Sequence, residues 1–121
     1  MESSGYMRII IILVLNVIVG ALANIFLKKG SLALPPLSLT NWWKIATSPW
    51  IIVGVVLFVV NFPLYSAILQ KMKLAVAFPL VTSLTFITVV LMSMLILKES
   101  LTAAQYIGIV ILIVGIWFLA K

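Results

Sequence analysis

Asn16, Gly20, Asn24 and Lys28 follow one another at intervals of four residues. On a helix that spacing gathers them on one slowly drifting stripe. A carboxamide carries donors and an acceptor but no charge, so the chemistry available is hydrogen bonding to a neutral polar group, with a lysine where the stripe ends. Asn61 and Tyr65 repeat the spacing with Pro63 between them, and Thr82, Ser83, Thr85 and Thr88 follow Phe78-Pro79. All of these lie inside long apolar runs, where polar side chains are costly unless they face protein or a cavity. Asn16, Gly20, Asn24, Asn61, Tyr65, Thr82, Ser83 and Thr85 are therefore expected to wall a substrate cavity. The competing reading is that the asparagines join helices by hydrogen bonds and that the threonines bond their own backbone.

The residues that are missing narrow the chemistry further. The chain has no cysteine and no histidine, and its only acids are Glu2 and Glu99. This leaves no disulfide, no thiolate, no base to activate a serine and no set of ligands for a metal. A cofactor-free protein that is not an enzyme is expected. No carboxylate falls inside an apolar run, so proton exchange within the membrane has no evident carrier. Glu99 lies near a boundary, where it either caps a helix or couples protons. The cations lie between apolar runs, at headgroup positions. Lys28, Lys29, Lys71 and Lys73 are the candidates to meet a phosphate or a lipid headgroup, and no basic and aromatic pattern for nucleic acid is present.

The elements that must position these residues follow from composition. Of 121 residues, 65% are hydrophobic and 8% charged, whereas a soluble domain carries about a quarter charged residues. The solvent is therefore lipid, and crossing about 30 Å of hydrocarbon takes about 20 helical residues. The apolar runs predict a single all-α domain over 1–121 with four transmembrane helices, about 7–29, 50–70, 74–97 and 102–120. Pro49 suits the first turn of the second helix. Thr102 with Gln105 fits a capping box, with Ser100 as a competing cap. Short connections make successive helices antiparallel. The longer first connection holds Pro35-Pro36 and then Thr40-Asn41-Trp42-Trp43-Lys44-Ile45, read as a short helix in the membrane interface. Arg8, the first apolar run and Ala21-Leu22-Ala23 also mimic a cleaved signal peptide, but the run continues to Lys28-Lys29, which favours a retained helix.

Charge balance bears on assembly. Arg8, Lys71, Lys73 and Lys121 fall on one side of the membrane and Lys28, Lys29, Lys44 and Lys98 on the other. Orientation follows Lys/Arg asymmetry between short loops, and here the count is even. Insertion both ways is the expectation, or orientation fixed by a partner. Dual insertion would permit an antiparallel homodimer, an intermolecular inverted repeat. Gly108 and Gly115, seven residues apart on one face of the last helix, suit close helix contact in lipid, read as a dimer contact or as packing within one subunit.

Three segments carry a resemblance. Leu27-Lys28-Lys29-Gly30 ends the first helix and Ala75-Val76-Ala77-Phe78-Pro79-Leu80 opens the third. Leu97-Lys98-Glu99-Ser100-Leu101-Thr102, with Gln105, Gly108 and Gly115, forms the last connection and helix. Over nearly its whole length the chain resembles the small multidrug resistance proteins and the single-repeat members of the drug/metabolite transporter superfamily. Small multidrug exporters carry a glutamate in the first helix that binds cations and protons, and Gly20 stands at that place here. The pattern is closer to the subunits that flip aminoarabinose-phosphoundecaprenol. The resemblance implies a multi-pass inner-membrane transporter of a polyprenyl-phosphate-linked sugar or similar amphiphilic lipid, working as a homodimer or as a heterodimer with a similar small subunit. Export of organic cations or small metabolites, and an accessory subunit without transport, are the alternatives.

Overall fold

The computed structural model describes the backbone of residues 2–121 and the side chains of residues 5–121. Its α-helices are α1 (Glu2–Leu32), α2 (Pro49–Lys71), α3 (Leu74–Ile96) and α4 (Ala103–Ala120), with a short 3-10 helix, Trp42–Thr47, between α1 and α2. All four α-helices are long and apolar enough to cross a membrane. The chain is a multi-pass, all-helical membrane protein.

α1 runs past its expected span at both ends. At 31 residues it is about 46 Å long, more than the hydrocarbon core requires. No proline occurs before Pro35, so nothing stops the helix at Lys29. It ends where the prolines forbid continuation, with the Ala33 N–H shared between the carbonyls of Lys29 and Gly30. α2 begins at Pro49 and continues through Pro63, and α3 continues through Pro79. Only Met72 and Lys73 separate them, which forces α2 and α3 antiparallel.

α3 ends with the N–H groups of Leu97 and Glu99 both donating to the Ser93 carbonyl. Lys98 sits between them at φ 56°, in the left-handed region. α4 then starts with the expected capping box: the Gln105 N–H donates to Thr102 Oγ1 and the Thr102 N–H to Gln105 Oε1. Ser100 is not the cap. Glu99 is not the cap either, since Thr102 holds that position three residues on, and its carboxylate lies 3.7 Å from Lys28 Nζ.

α1 packs extensively against α2 and also against α3, α2 and α3 scarcely touch each other, and α4 packs on α3. The α1–α2 contact is set by small residues. A Cβ on Gly54 would stand 3.1 Å from the Ala23 carbonyl oxygen, and one on Gly30 would stand 3.0 Å from the Ile51 backbone nitrogen. Ala21, Ala23, Ile25, Ile51 and Ile68 are buried. No described residue of α4 is buried, and most large apolar side chains face outward, as a lipid solvent allows. Among the described residues, nothing beyond the adjacent backbone of α4 itself lies within 4 Å of where a Cβ on Gly108 or Gly115 would stand. Packing within the subunit therefore does not use them.

The connection after α1 differs in detail from the short helix expected from Thr40 to Ile45. Asn41 is consumed by the turn before it. Its Oδ1 accepts from the Ser38 N–H and Oγ, and its Nδ2 donates to the Pro36 carbonyl at 3.0 Å. Helical geometry starts only at Trp42 and has the tighter 3-10 winding.

Candidate functional site

A groove of about 450 Å³ opens between α2 and α3, with α1 contributing its third wall. Its polar lining is Asn16, Gly20 and Asn24 of α1, Asn61 and Tyr65 of α2, and Thr82 and Thr85 of α3. The groove exists because α2 and α3 are each held by α1 and not by one another.

Asn16 is only 2% exposed. Its Nδ2 donates to Asn61 Oδ1 at 3.0 Å and, at 3.5 Å, lies near the Asn61 carbonyl. This amide pair ties α1 to α2, as the helix-joining reading required, but it does not fill the space beside it. Asn24 turns back on its own helix, donating from Nδ2 to the Gly20 carbonyl at 2.8 Å. That leaves the groove face of the pair open. Gly20 is buried, and a Cβ there would meet Asn61 Nδ2 at 3.3 Å and Thr85 Cγ2 at 3.5 Å. The missing side chain keeps a notch between α1, Asn61 and Thr85.

Of the α3 hydroxyls, Thr82 and Thr85 line the groove. Thr88 instead donates to the Leu84 carbonyl at 2.8 Å, within its own helix. Ser83, expected in the cavity wall, lies outside it: one residue along a helix from Thr82 turns it about 100° away. Among the described residues, Asn61 Nδ2 and the hydroxyls of Tyr65, Thr82 and Thr85 have no protein hydrogen-bond partner.

Sequence reasoning missed the rings. Phe58 and Phe62 of α2 and Phe78 and Phe86 of α3 complete the lining, with Val81 and Val89. Spacing carried the signal: Phe58, Asn61, Phe62 and Tyr65 recur at three and four residues on one helix face, and Phe78, Thr82, Thr85, Phe86 and Val89 do the same. In a helix apolar all round, that stripe is indistinguishable from lipid-facing ones until its neighbours are known. Among the described residues, no acidic or basic side chain lines the groove.

The lysines lie at the two ends of the bundle. Lys28 is engaged by Glu99, and Lys29 Nζ stands 5.2 Å from the centroid of the Trp50 ring. Trp50 in turn stacks on Phe26 at 5.6 Å. Lys71 and Lys73 are exposed at the opposite end and have no acidic partner among the described residues. Glu99 is thus held at a surface, distant in sequence and element from the groove lining. Among the described residues no cluster of acids, histidines or cysteines is suited to a metal ion.

The chain is 29% identical over 100 residues to y4nH, an uncharacterized protein of Sinorhizobium fredii, covering 83% of this chain and 84% of that one. No solved structure matches significantly. Residues 11–121 match the EamA-like transporter family, a span that takes in most of α1, all of α2, α3 and α4, and every residue that lines the groove; the chain belongs to that family.

Proposed function

We propose that this protein moves an amphiphilic lipid across the inner membrane, a polyprenyl-phosphate-linked sugar being the substrate class its groove suits best. The observation that carries the reading is the uncharged lining between apolar helices: amides, hydroxyls and aromatic rings, with no acid beside them among the described residues. A sugar offers hydroxyls to Asn61, Tyr65, Thr82 and Thr85, and its C–H faces to the phenylalanines. Unpaired polar groups in hydrocarbon cost free energy, and a sugar in the groove would satisfy them on both sides at once. The apolar tail has no need to enter, because the groove opens between α2 and α3 toward lipid. The phosphate would be received by lysines at the surfaces, with Lys71 and Lys73 free at one end. Lys28 and Lys29 are engaged at the other end, by contacts weak enough to exchange.

One subunit supplies one groove wall on each of three helices, and α4 presents its whole outer face, including Gly108 and Gly115, to the bilayer. A dimer through α4, homomeric or with a similar small subunit, is part of this reading. The even distribution of cations supports an antiparallel arrangement.

Transport of a fluorescent polyprenyl-phosphate sugar into the protected leaflet of proteoliposomes tests the proposal. Acceleration over protein-free vesicles, lost in Gly20→Leu, is expected. Folded protein with no acceleration would refute it.

Export of organic cations is the second reading, and the four phenylalanines favour it, since ring faces attract cations. It would need Glu99 to supply charge, and Glu99 lies outside the groove lining. Glu99→Gln should then abolish cation export; under the lipid reading it leaves translocation intact. An accessory role would rest on the Asn16–Asn61 pair alone and gives the open groove no purpose.

A further inference from the structure

The contact between Asn16 and Asn61 has a direction, and that direction limits what the groove can recognise. Asn16 Nδ2 faces two oxygens of Asn61, Oδ1 at 3.0 Å and the backbone carbonyl at 3.5 Å. A backbone carbonyl can only accept, so the end of Asn16 turned toward it is the nitrogen. The end of Asn61 that meets this nitrogen is then its oxygen. Asn16 is 2% exposed, so water does not compete for the contact. The Asn61 carboxamide is thereby held with its oxygen consumed and its nitrogen turned elsewhere.

That nitrogen faces Gly20. Asn61 Nδ2 lies 3.3 Å from the point a Cβ would take on Gly20, and Thr85 Oγ1 lies 3.8 Å from the same point. A donor from α2 and a hydroxyl from α3 converge over the bare backbone of α1. The acceptors beside them are taken: Asn61 Oδ1 receives Asn16, and the Gly20 carbonyl receives Asn24 Nδ2 at 2.8 Å. An amide nitrogen donates and does not accept, while a hydroxyl turns its hydrogen to suit its partner. The group that satisfies both is an oxygen with two lone pairs, and an amide carbonyl is one. A protonated amine has no lone pair. Beside it Asn61 Nδ2 stays unpaired in apolar surroundings, which costs free energy. Asn24 Oδ1 has no donor among the described residues and suits the N–H of the same acylamino group.

We propose that Asn16 is a positioning residue that holds the Asn61 amide with its donor end toward Gly20 and Thr85, so that the groove selects a lipid-linked sugar carrying an acylated amino group over one carrying a free amine. This rests on the translocation reading above and narrows its substrate class.

Polyprenyl phosphate carrying N-acetylglucosamine, compared with the same lipid carrying glucosamine, tests it by initial rates into the protected leaflet of proteoliposomes. Wild type should move the acetylated lipid about tenfold faster, the cost of leaving one buried donor unpaired. Asn16→Leu removes the donor that orients Asn61, whose amide then offers either end, and the ratio of the two rates should fall about threefold or more. Thr88→Val, at a hydroxyl bonded within its own helix, should leave the ratio as in wild type. A loss of folded protein lowers both rates alike, so the ratio separates positioning from stability. If Asn16→Leu does not fold, Gly20→Ala sets a methyl group 3.3 Å from Asn61 Nδ2 and should slow the acetylated lipid more than the amine. Equal wild-type rates for the two lipids overturn the inference and leave translocation standing. A wild-type ratio retained in folded Asn16→Leu also overturns it, because the preference would then come from the ammonium charge alone. Movement of neither lipid sinks the translocation reading and this inference with it.

Discussion

At the residue scale, the groove is governed by which polar groups are already committed. Asn16 and Asn61 are bonded to each other, Asn24 and Thr88 to their own helices, and Asn61 Nδ2, Tyr65, Thr82 and Thr85 to nothing in the described protein. Thr85→Val should therefore lower translocation with little change in stability, whereas Thr88→Val should leave translocation at the wild-type rate. Initial rates in proteoliposomes, with thermal melting as control, check both. Asn16→Ala removes the amide pair and should cost about 0.6–2 kcal/mol, the range for interhelical hydrogen bonds in membranes. The double-mutant cycle with Asn61→Ala, by unfolding in mixed micelles, isolates the pair itself. A coupling near zero would show that the 3.0 Å contact contributes nothing to the fold.

At the element scale, α1 is the hub. Glycines at 30 and 54 let α2 approach it closely, and the amide pair holds the two in register at mid-depth. Gly54→Leu places a branched side chain where even a Cβ would lie 3.1 Å from a backbone oxygen. Carbonyl oxygens of a helix cannot move aside, so the helices must separate, at about 1–3 kcal/mol for overpacking. A lowered melting midpoint, with helicity by circular dichroism retained, is the expected result. The exposed Lys28–Glu99 pair is worth little by comparison, and breaking it should leave the midpoint within error of wild type. The start of α4 was legible in the residues because a capping box is a local device. The end of α1 was not, because the prolines that stop it lie several residues past the last charge.

At the scale of the whole molecule, the charge-free groove sets the expected energetics of transport. With no carboxylate among the described residues that line the groove, an imposed pH difference across the vesicle membrane should not change the rate of lipid movement. Stimulation by a proton gradient would show that a titratable group outside the groove takes part. The even division of Lys and Arg predicts that a C-terminal topology reporter gives signal from both sides of the membrane. Replacing a surface cation on one side should bias that signal, because in a chain with balanced loops a single charge creates the asymmetry that sets orientation.

Four apolar stretches of spanning length, two of them separated by only two residues, left no other fold class than an antiparallel helical membrane protein. That much depends on local composition, because every backbone group in hydrocarbon must be bonded within its own helix. The stripes of amides and hydroxyls were legible for the same reason: helical periodicity is a local property. Which stripe faces which was not. Ser83 drops out of the groove, four phenylalanines enter it, and Lys28 meets Glu99 although α2 and α3 separate them in sequence. Those outcomes depend on how far α1 rotates and how closely glycine lets α2 come. In a helix that is apolar on every side, no pattern of polarity marks the face that meets protein, so only the packing of one helix on another could assign it.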